Sequence, residues 1–431
     1  MYRMRSPRLK VLLIIEQCNP EWPSVPLEGF RYYEAIRSLA DVTLVTHDRN
    51  RQALLRAGAG AVFIPESAAI AQYFRIVGSL AVRGGRVNWP VLYALGYPVY
   101  AEFNHRVYRM FRDPVLRGNY DVVHAFSPIL PRYPVKLIEA CRDTPFLLGP
   151  VNGGLPFPPA FGEIAHREFS RFNFLRVFSR MIPGYRTTYR NADSILAGSS
   201  ATLAMLRRLF DIRDDRIELF HENGVVASLL GERSRRAEGH PLRLLFAGRL
   251  VPFKCADVVI EVLERLDAAF PVTLTIVGDG PERPRLEDQV RRAGLTGRVN
   301  FTGWAPHHTM VDHYRRADVF CFPSIREFGG AVVLEAMAAG LPCIVTDYGG
   351  IAEYVTDQSG FRIAPLSRQH LVHQMTLDVE TLQRSAELWN RMSAAAIERA
   401  SGFEWSRKGQ WLVEKYATLV ERKRAVEKSR A

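Results

Sequence analysis

The chain has 431 residues, of which 47% are hydrophobic and 24% charged, and its formal net charge is +12. This composition excludes a disordered, collagen-like or coiled-coil chain. The length asks for two to three domains, since single cores stop growing near ~250–300 residues. The five cysteines (Cys18, Cys141, Cys255, Cys321, Cys343) are scattered, with no C-x-x-C pair and no His/Cys cluster. Neither a disulfide framework nor a zinc site is indicated, and a reducing, cytoplasmic setting fits.

The basic start runs into an apolar stretch at 11–15 that Glu16 cuts short, so it reads as a buried strand rather than a signal segment. Strands are expected at 10–16, 41–47, 61–65, 121–126, 145–151, 193–198 and 216–221. Helices are expected at 29–39, 131–142 and 200–210. Residues 68–118 fit this alternation poorly, mixing aromatics such as Tyr73, Phe74, Trp89 and Tyr93 with Arg75, Arg83, Arg86, Arg106, Arg109 and Arg112. They read either as helical insertions or as a surface that meets a membrane or a lipid-borne acceptor. The uncharged stretch 87–101 holds Pro90 and Pro98 and is too short to span a bilayer.

Residues 226–241 are polar and glycine-bearing, and read as a linker. Beyond them the pattern sharpens. Strands are expected at 242–248, 272–278, 299–303, 317–323 and 342–347. Between the first two, Val258, Val259, Val262, Leu263, Leu266 and Phe270 recur at helical spacing. Strand–helix alternation implies parallel sheets covered on both faces, hence two doubly wound α/β domains. After residue 403 a helical pattern carries Trp405, Trp411, Leu412, Tyr416 and Leu419 into a charged tail. Charge is uneven: residues 1–225 hold 29 Lys and Arg against 20 Asp and Glu, leaving +9 of the total +12. That excess suits ordinary surface, an anionic membrane face or a phosphate-bearing substrate. No basic helix suggests nucleic acid.

Three motifs carry chemistry. After the strand at 317–323 come Glu327-Phe328-Gly329-Gly330 and, eight positions past Glu327, Glu335. The glycines admit close backbone approach, the following helix offers free N–H groups, and the carboxylates can accept from hydroxyls of a polyol. A capped helix with one solvated and one paired glutamate is the plain alternative. Gly248-Arg249-Leu250-Val251-Pro252-Phe253-Lys254 closes the strand at 242–248, so two cations stand on the rim where parallel sheets bind ligands, suited to a diphosphate. Gly278-Asp279-Gly280-Pro281 ends the next strand, as a nucleotide approach or merely a turn.

In this order, with Phe301-Thr302-Gly303-Trp304 between the last two, the motifs resemble the retaining glycosyltransferases of family 4. The resemblance is densest over 242–357. It implies two Rossmann-like domains facing a central cleft: an acceptor-binding domain at 1–225, a linker at 226–241, a nucleotide-sugar domain at 242–403, and a helix at 404–431 returning to the first domain. It also implies sugar transfer, with retention, from a nucleoside diphosphate to a hydroxyl acceptor of glycolipid, lipopolysaccharide or exopolysaccharide type. By resemblance, Arg249 and Lys254 grip the diphosphate, Glu327 holds the donor sugar and Glu335 the ribose. The backbone of Phe328, Gly329 and Gly330 meets phosphate and sugar, Gly303 and Trp304 lie near the base, and Gly29 approaches the diphosphate. No metal or cofactor is expected, since no Asp-x-Asp pair occurs. Expected partners are the nucleotide sugar, a glycan or lipid-linked acceptor and an anionic membrane.

Three features depart from the family pattern, one being that the loop near Glu28-Gly29 lacks the usual glycine doublet. Cys255 stands where glycine is usual after the lysine. Asn152 stands where a histidine usually faces the donor sugar, leaving His124 and His166 as substitutes on the acceptor side, although a buried histidine is the plainer reading of His124. A nucleotide-sugar epimerase and a non-catalytic binding protein are the alternatives. A dinucleotide dehydrogenase is disfavoured, because Arg283 stands where the third glycine of G-x-G-x-x-G belongs. Substituting Arg249 or Lys254 is expected to cost more in turnover than in stability.

Overall fold

The computed structural model describes residues 8–83, 86–126, 133–168, 179–231, 233–266 and 271–430. The chain divides into two compact units. One comprises Met1–Gly154, Arg171–Glu222 and Trp405–Ala431, the other Leu155–Ser170 and Asn223–Glu404.

The first unit is built on β1 (Lys10–Ile14), β2 (Asp41–His47) and β3 (Val62–Ile64). A two-residue hairpin, β4 (Val82–Arg83) and β5 (Arg86–Val87), lies apart from the sheet. Then come β6 (Val122–Ala125), β7 (Phe146–Val151), β8 (Ser194–Ala197) and β9 (Ile217–Leu219). Seven strands form one parallel sheet in the order β3-β2-β1-β6-β7-β8-β9. The order reverses between β1 and β6, which makes that crevice the switch point of a doubly wound sheet. Valine, leucine and isoleucine at 11–14 are buried on both faces, as a strand covered by helices requires. The helix expected at 131–142 is, among the described residues, a 3₁₀ turn at Lys136–Ala140. Pro134 just before it removes an amide donor and disfavours a longer helix at its start.

Residues 68–118 form helices Ala68–Ala81, Trp89–Leu95 and Tyr97–Leu116 around the small hairpin. The longest buries Val99, Tyr100, Phe103, Val107, Phe111 and Val115, a stripe at three- and four-residue spacing. By contrast Ala68–Ala81 buries only Val77 and Ala81.

The C-terminal helix Trp405–Arg430 packs on helix Val25–Arg37 of this same unit. The two backbones pass so closely that a Cβ on Gly409 would lie 2.7 Å from the Ala35 carbonyl oxygen. Lys423 pairs with Asp193 at 3.0 Å. Lys408 is buried, its ammonium 3.9 Å from the Phe220 ring centroid and 5.8 Å from that of Trp405, and it donates to the His221 carbonyl. Burial outweighs the attraction of Glu28 and Glu222 and pushes this lysine from 10.5 to about 7. Folded chains therefore bind fewer protons here than unfolded ones between these values, so this lysine makes stability rise with pH across that window. In urea unfolding, the wild type should gain up to about 1 kcal/mol per pH unit between pH 7 and 10 relative to Lys408→Met. Parallel pH profiles would refute the buried charge.

The second unit holds β10 (Leu242–Ala247), β11 (Val272–Val277), β12 (Val299–Gly303), β13 (Val319–Phe322), β14 (Cys343–Thr346) and β15 (Gly360–Ile363). They form a parallel sheet in the order β12-β11-β10-β13-β14-β15. Its switch point lies between β10 and β13. Helix Ala256–Arg265 turns Val258, Val259, Val262 and Leu263 onto the sheet. Strand β15 has no counterpart in the sequence reading.

The polar stretch 226–241 is fixed to this unit instead of hanging free. Arg233 donates to the carbonyls of Tyr314 and Ala339, both at 3.1 Å, and also to that of Ala317. The Arg236 amide donates to Asn390 at 2.9 Å, and Glu238 accepts from the Ala386 amide at 3.1 Å. The change of unit falls earlier, between Glu222 and Asn223, and the Val225 amide bonds to Phe403 at 3.0 Å. Residues 155–168 also belong here. Arg167 pairs with Glu282 at 2.5 Å, and Arg326 donates to the Leu155 carbonyl at 3.1 Å.

Candidate functional site

The carboxyl ends of β10 and β13 bring the expected charged residues together. After β10, exposed Arg249 is followed by the 3₁₀ turn Pro252–Lys254. Lys254 is 9% exposed, and its ammonium forms an ion pair with Glu327 Oε2. It also lies 4.7 Å from the Phe322 ring centroid. Desolvation lowers its pKa, Glu327 opposes that shift, and the charge of Arg249 adds to it. An ammonium held so dry is a strong electrostatic partner for an incoming anion. Ser324, just past β13, donates to Glu327 Oε2 at 3.2 Å.

The loop carrying Glu327 is wedged from behind. The Gly350 amide donates to the Glu327 carbonyl at 3.0 Å. A Cβ on Gly349 would lie 2.3 Å from that same carbonyl oxygen, and one on Gly350 would lie 1.9 Å from the Phe328 oxygen. Only glycines after β14 let these two loops meet. Gly330, at φ 73°, starts the helix Ala331–Ala338. With its amide oriented to suit its neighbours, buried Asn223 accepts from the Gly330 and Ala331 amides, both at 3.2 Å. Asn223 thus caps this helix, and the amide of Gly330 is committed to it. The backbone donors expected to face a ligand narrow to Phe328 and Gly329.

Glu335 sits one helical turn inside and is 8% exposed. Buried Tyr314 donates to its Oε2 at 2.8 Å, and His307 Nε2 lies 3.0 Å from its Oε1. Burial and the facing carboxylate hold the Tyr314 phenol well above its ordinary range. So Tyr314 stays protonated and fixes one oxygen, while His307 meets the other. His307 follows Gly303 and Trp304 at the end of β12; Trp304 is 60% exposed. Neither Tyr314 nor His307 was singled out from sequence, and the only signal was their place in the loop and helix after Phe301-Thr302-Gly303.

The glycines after β11 serve packing. A Cβ on Gly278 would lie 2.0 Å from the Gly248 carbonyl oxygen, and one on Gly280 would lie 2.5 Å from that of Leu250. They let the loops after β10 and β11 stack backbone on backbone. Cys255 has φ 52°, the left-handed conformation that glycine adopts freely. This accounts for a glycine preference at the position and leaves Cys255 mildly strained.

Gly29, His124 and Asn152 lie in the first unit. Gly29 is buried against the loop after β1, where a Cβ would sit 2.6 Å from the Gln17 carbonyl oxygen. His124 is fully buried. Its Nε2 is 2.7 Å from the Gly149 carbonyl and must donate to it, so Nδ1 accepts from the Tyr416 hydroxyl at 2.7 Å. Burial pushes its pKa down to about 4. It is a neutral packing residue with both nitrogens committed, which removes it from the acceptor side. Asn152, also buried, accepts from Ser199, Thr202 and the Gly153 amide, and so ties β7 to the start of helix Ser200–Phe210. His166 is exposed on helix Gly162–Arg167 of the second unit. Among the described residues no cluster of three His, Cys, Asp or Glu could hold a metal ion, and no helix is long and apolar enough to cross a membrane.

Two parallel sheets of this order, each flanked by helices, define a protein of the GT-B fold. Solved structures of that fold cover the whole architecture. Anabaena HepE in complex with UDP and glucose superposes with a TM-score of 0.61 at 18% identity, over 95% of this chain and 100% of that one. The lipopolysaccharide outer core galactosyltransferase WaaB superposes at 0.61 and 15% identity, over 94% and 99%. Residues 232–399, within the second unit, match the family glycosyl transferases group 1. The D-inositol 3-phosphate glycosyltransferase of Nocardia farcinica is 29% identical over 252 residues, 55% of each protein. The chain thus matches about half the length of such curated relatives.

Proposed function

We propose that this chain is a retaining glycosyltransferase that moves a sugar from a nucleoside diphosphate to a hydroxyl acceptor. The observation that carries the reading is the Lys254–Glu327 couple at the switch point of the second sheet, with exposed Arg249 beside it. Arg249 and Lys254 meet the two phosphates, helped by the Phe328 and Gly329 amides. Glu327 receives hydroxyls of the donor sugar, and its charge steadies the cationic sugar at the transition state. Glu335 accepts from the ribose hydroxyls, its carboxylate oriented by Tyr314 and His307. Trp304 offers the base an exposed ring. The bond between the anomeric carbon and the bridging phosphate oxygen breaks as the bond to the acceptor oxygen forms on the same face, and the diphosphate leaves with that oxygen. The departing phosphate oxygen takes the acceptor's proton, so no protein nucleophile is required.

The acceptor in this reading is lipid-borne, a glycolipid or an envelope saccharide precursor, taken by the first unit at an anionic membrane face. The +9 of residues 1–225 supports this, as does the fold shared with a lipopolysaccharide galactosyltransferase.

Thermal unfolding with UDP, GDP, ADP, CMP, dTDP and NAD tests the donor site. At about 100 times its dissociation constant a ligand stabilises by about 2.7 kcal/mol. One nucleoside diphosphate should raise the melting temperature by several degrees, and Glu335→Gln should lose that shift. A shift with NAD alone, or with none of the six, overturns the reading.

A further inference from the structure

Helix Ala68–Ala81 turns its apolar residues outward. Ile76 is 51% and Leu80 57% exposed. With Ala69 and Tyr73 they stand at i, i+4, i+7 and i+11, one continuous stripe along the helix. The Tyr73 hydroxyl donates to the Leu95 carbonyl at 2.8 Å, which brings exposed Leu95 of the next helix alongside the stripe. Only Val77 and Ala81 of the first helix are buried, so its packing does not explain this outer face.

Charge selects what covers it. No Asp or Glu occurs between Glu66 and Glu102, whereas Arg75, Arg83 and Arg86 do. A helix whose one charge is Arg75, with Glu66 and Glu102 gathered only at its start, where Glu102 accepts from the Ser67 amide at 3.1 Å, fits a surface that is apolar beneath and anionic above, as an anionic bilayer is. The helix begins just past the carboxyl end of β3, the edge at which doubly wound sheets bind ligands.

We infer that the Ala69–Tyr73–Ile76–Leu80 stripe, continued by Leu95, is the surface by which the first unit lies on an anionic lipid bilayer. The inference rests on the lipid-borne acceptor reading and names the segment that serves it. The helix lies in the interface and does not cross it.

The test is flotation of the full chain with vesicles of phosphatidylcholine alone and of phosphatidylcholine with an equal share of phosphatidylglycerol. Three proteins are compared: wild type, Ile76→Asp/Leu80→Asp, and the charge-matched Leu39→Asp/Leu55→Asp, whose positions are also exposed. The expected result is that wild type and the control float with the anionic vesicles, less so at high salt. Ile76→Asp/Leu80→Asp should float at least tenfold less while keeping its nucleotide thermal shift. If all three float equally, the stripe is refuted and the lipid-borne reading stands. If none floats at low salt, both fall. If wild type is a dimer in light scattering and only Ile76→Asp/Leu80→Asp is a monomer, a second copy occupies the stripe and the inference is overturned.

Discussion

Arg249→Ala should lower turnover by about two to three orders of magnitude, the usual cost of deleting a donor aimed at developing charge. Its melting temperature should stay close to wild type, because the side chain is exposed and such sites usually move stability by less than about 0.5 kcal/mol. Lys254 behaves differently. Its ammonium and the Glu327 carboxylate are 11% and 16% exposed and lean on each other. Removing one partner of such a pair leaves a poorly hydrated charge, at a cost of roughly 3 kcal/mol. Lys254→Met should therefore lose both turnover and stability, unlike Arg249→Ala. The double variant Lys254→Met/Glu327→Met separates the two effects. It should recover most of the stability and none of the turnover, since no buried charge is then orphaned. Turnover with saturating donor and urea unfolding of all three variants would check this. Undiminished turnover in Arg249→Ala with wild-type stability would remove that residue from the site.

These differences mark where sequence reasoning reaches and where it stops. Strands β10, β11, β13 and β14 are legible to within a residue or two because each is a short, mostly buried run, and the edge strand β12, exposed at Asn300 and Thr302, is legible from its apolar and β-branched residues. Strand β15 is Gly-Phe-Arg-Ile, half-buried in its middle, and gives no such run. It exists because Gly360 lets the backbones meet: a Cβ there would lie 2.0 Å from the Cys343 carbonyl oxygen. Arg233 and Arg236 look like linker residues in composition, yet distant backbone carbonyls bind Arg233, and the side chains of Asn390 and Gln383 bind Arg236. Composition cannot report acceptors supplied 81 and 106 residues away. In the site, spacing picks out Lys254, Glu327 and Glu335, because each motif is local. Apart from Ser324, three residues before Glu327, the groups that orient them come from elsewhere in the chain: Tyr314 on Glu335, Asn223 on the helix start, and the Gly349–Gly350 pair behind the loop. His124 shows the reverse limit. Sequence offers both a packing and an acceptor-side role for this strand histidine, and Tyr416, 292 residues on, decides for packing.

Gly350→Ala should lower kcat/KM by about 100-fold although Gly350 itself has no part in the proposed substrate contacts. Gly350 has ordinary backbone angles, so the penalty comes from contact alone. A Cβ would stand 1.9 Å from the Phe328 carbonyl oxygen and 2.8 Å from its carbon, both backbone atoms that no rotamer change can clear. Restoring an ordinary contact of 3.4 Å needs a retreat of about 1.5 Å. The loop that retreats carries Glu327 on one side and Gly329 on the other. A misplacement near 1 Å at reacting groups costs about 100-fold, because the orientation that binding pays for is lost. Overpacking should also remove about 1–3 kcal/mol of stability. Gly297→Ala in the same unit is the contrast, since nothing lies within 4 Å of its Cβ. It should be neutral or slightly stabilising, through a less flexible unfolded chain. The decisive comparison is kcat/KM with thermal unfolding for both alanines. If Gly350→Ala loses stability but keeps wild-type kcat/KM, the loop absorbs the added carbon without moving Glu327, and the wedge is only packing. If activity falls while the nucleotide thermal shift survives, the loss lies in how Glu327 faces the sugar, and the diphosphate grip of Arg249 and Lys254 is independent of it.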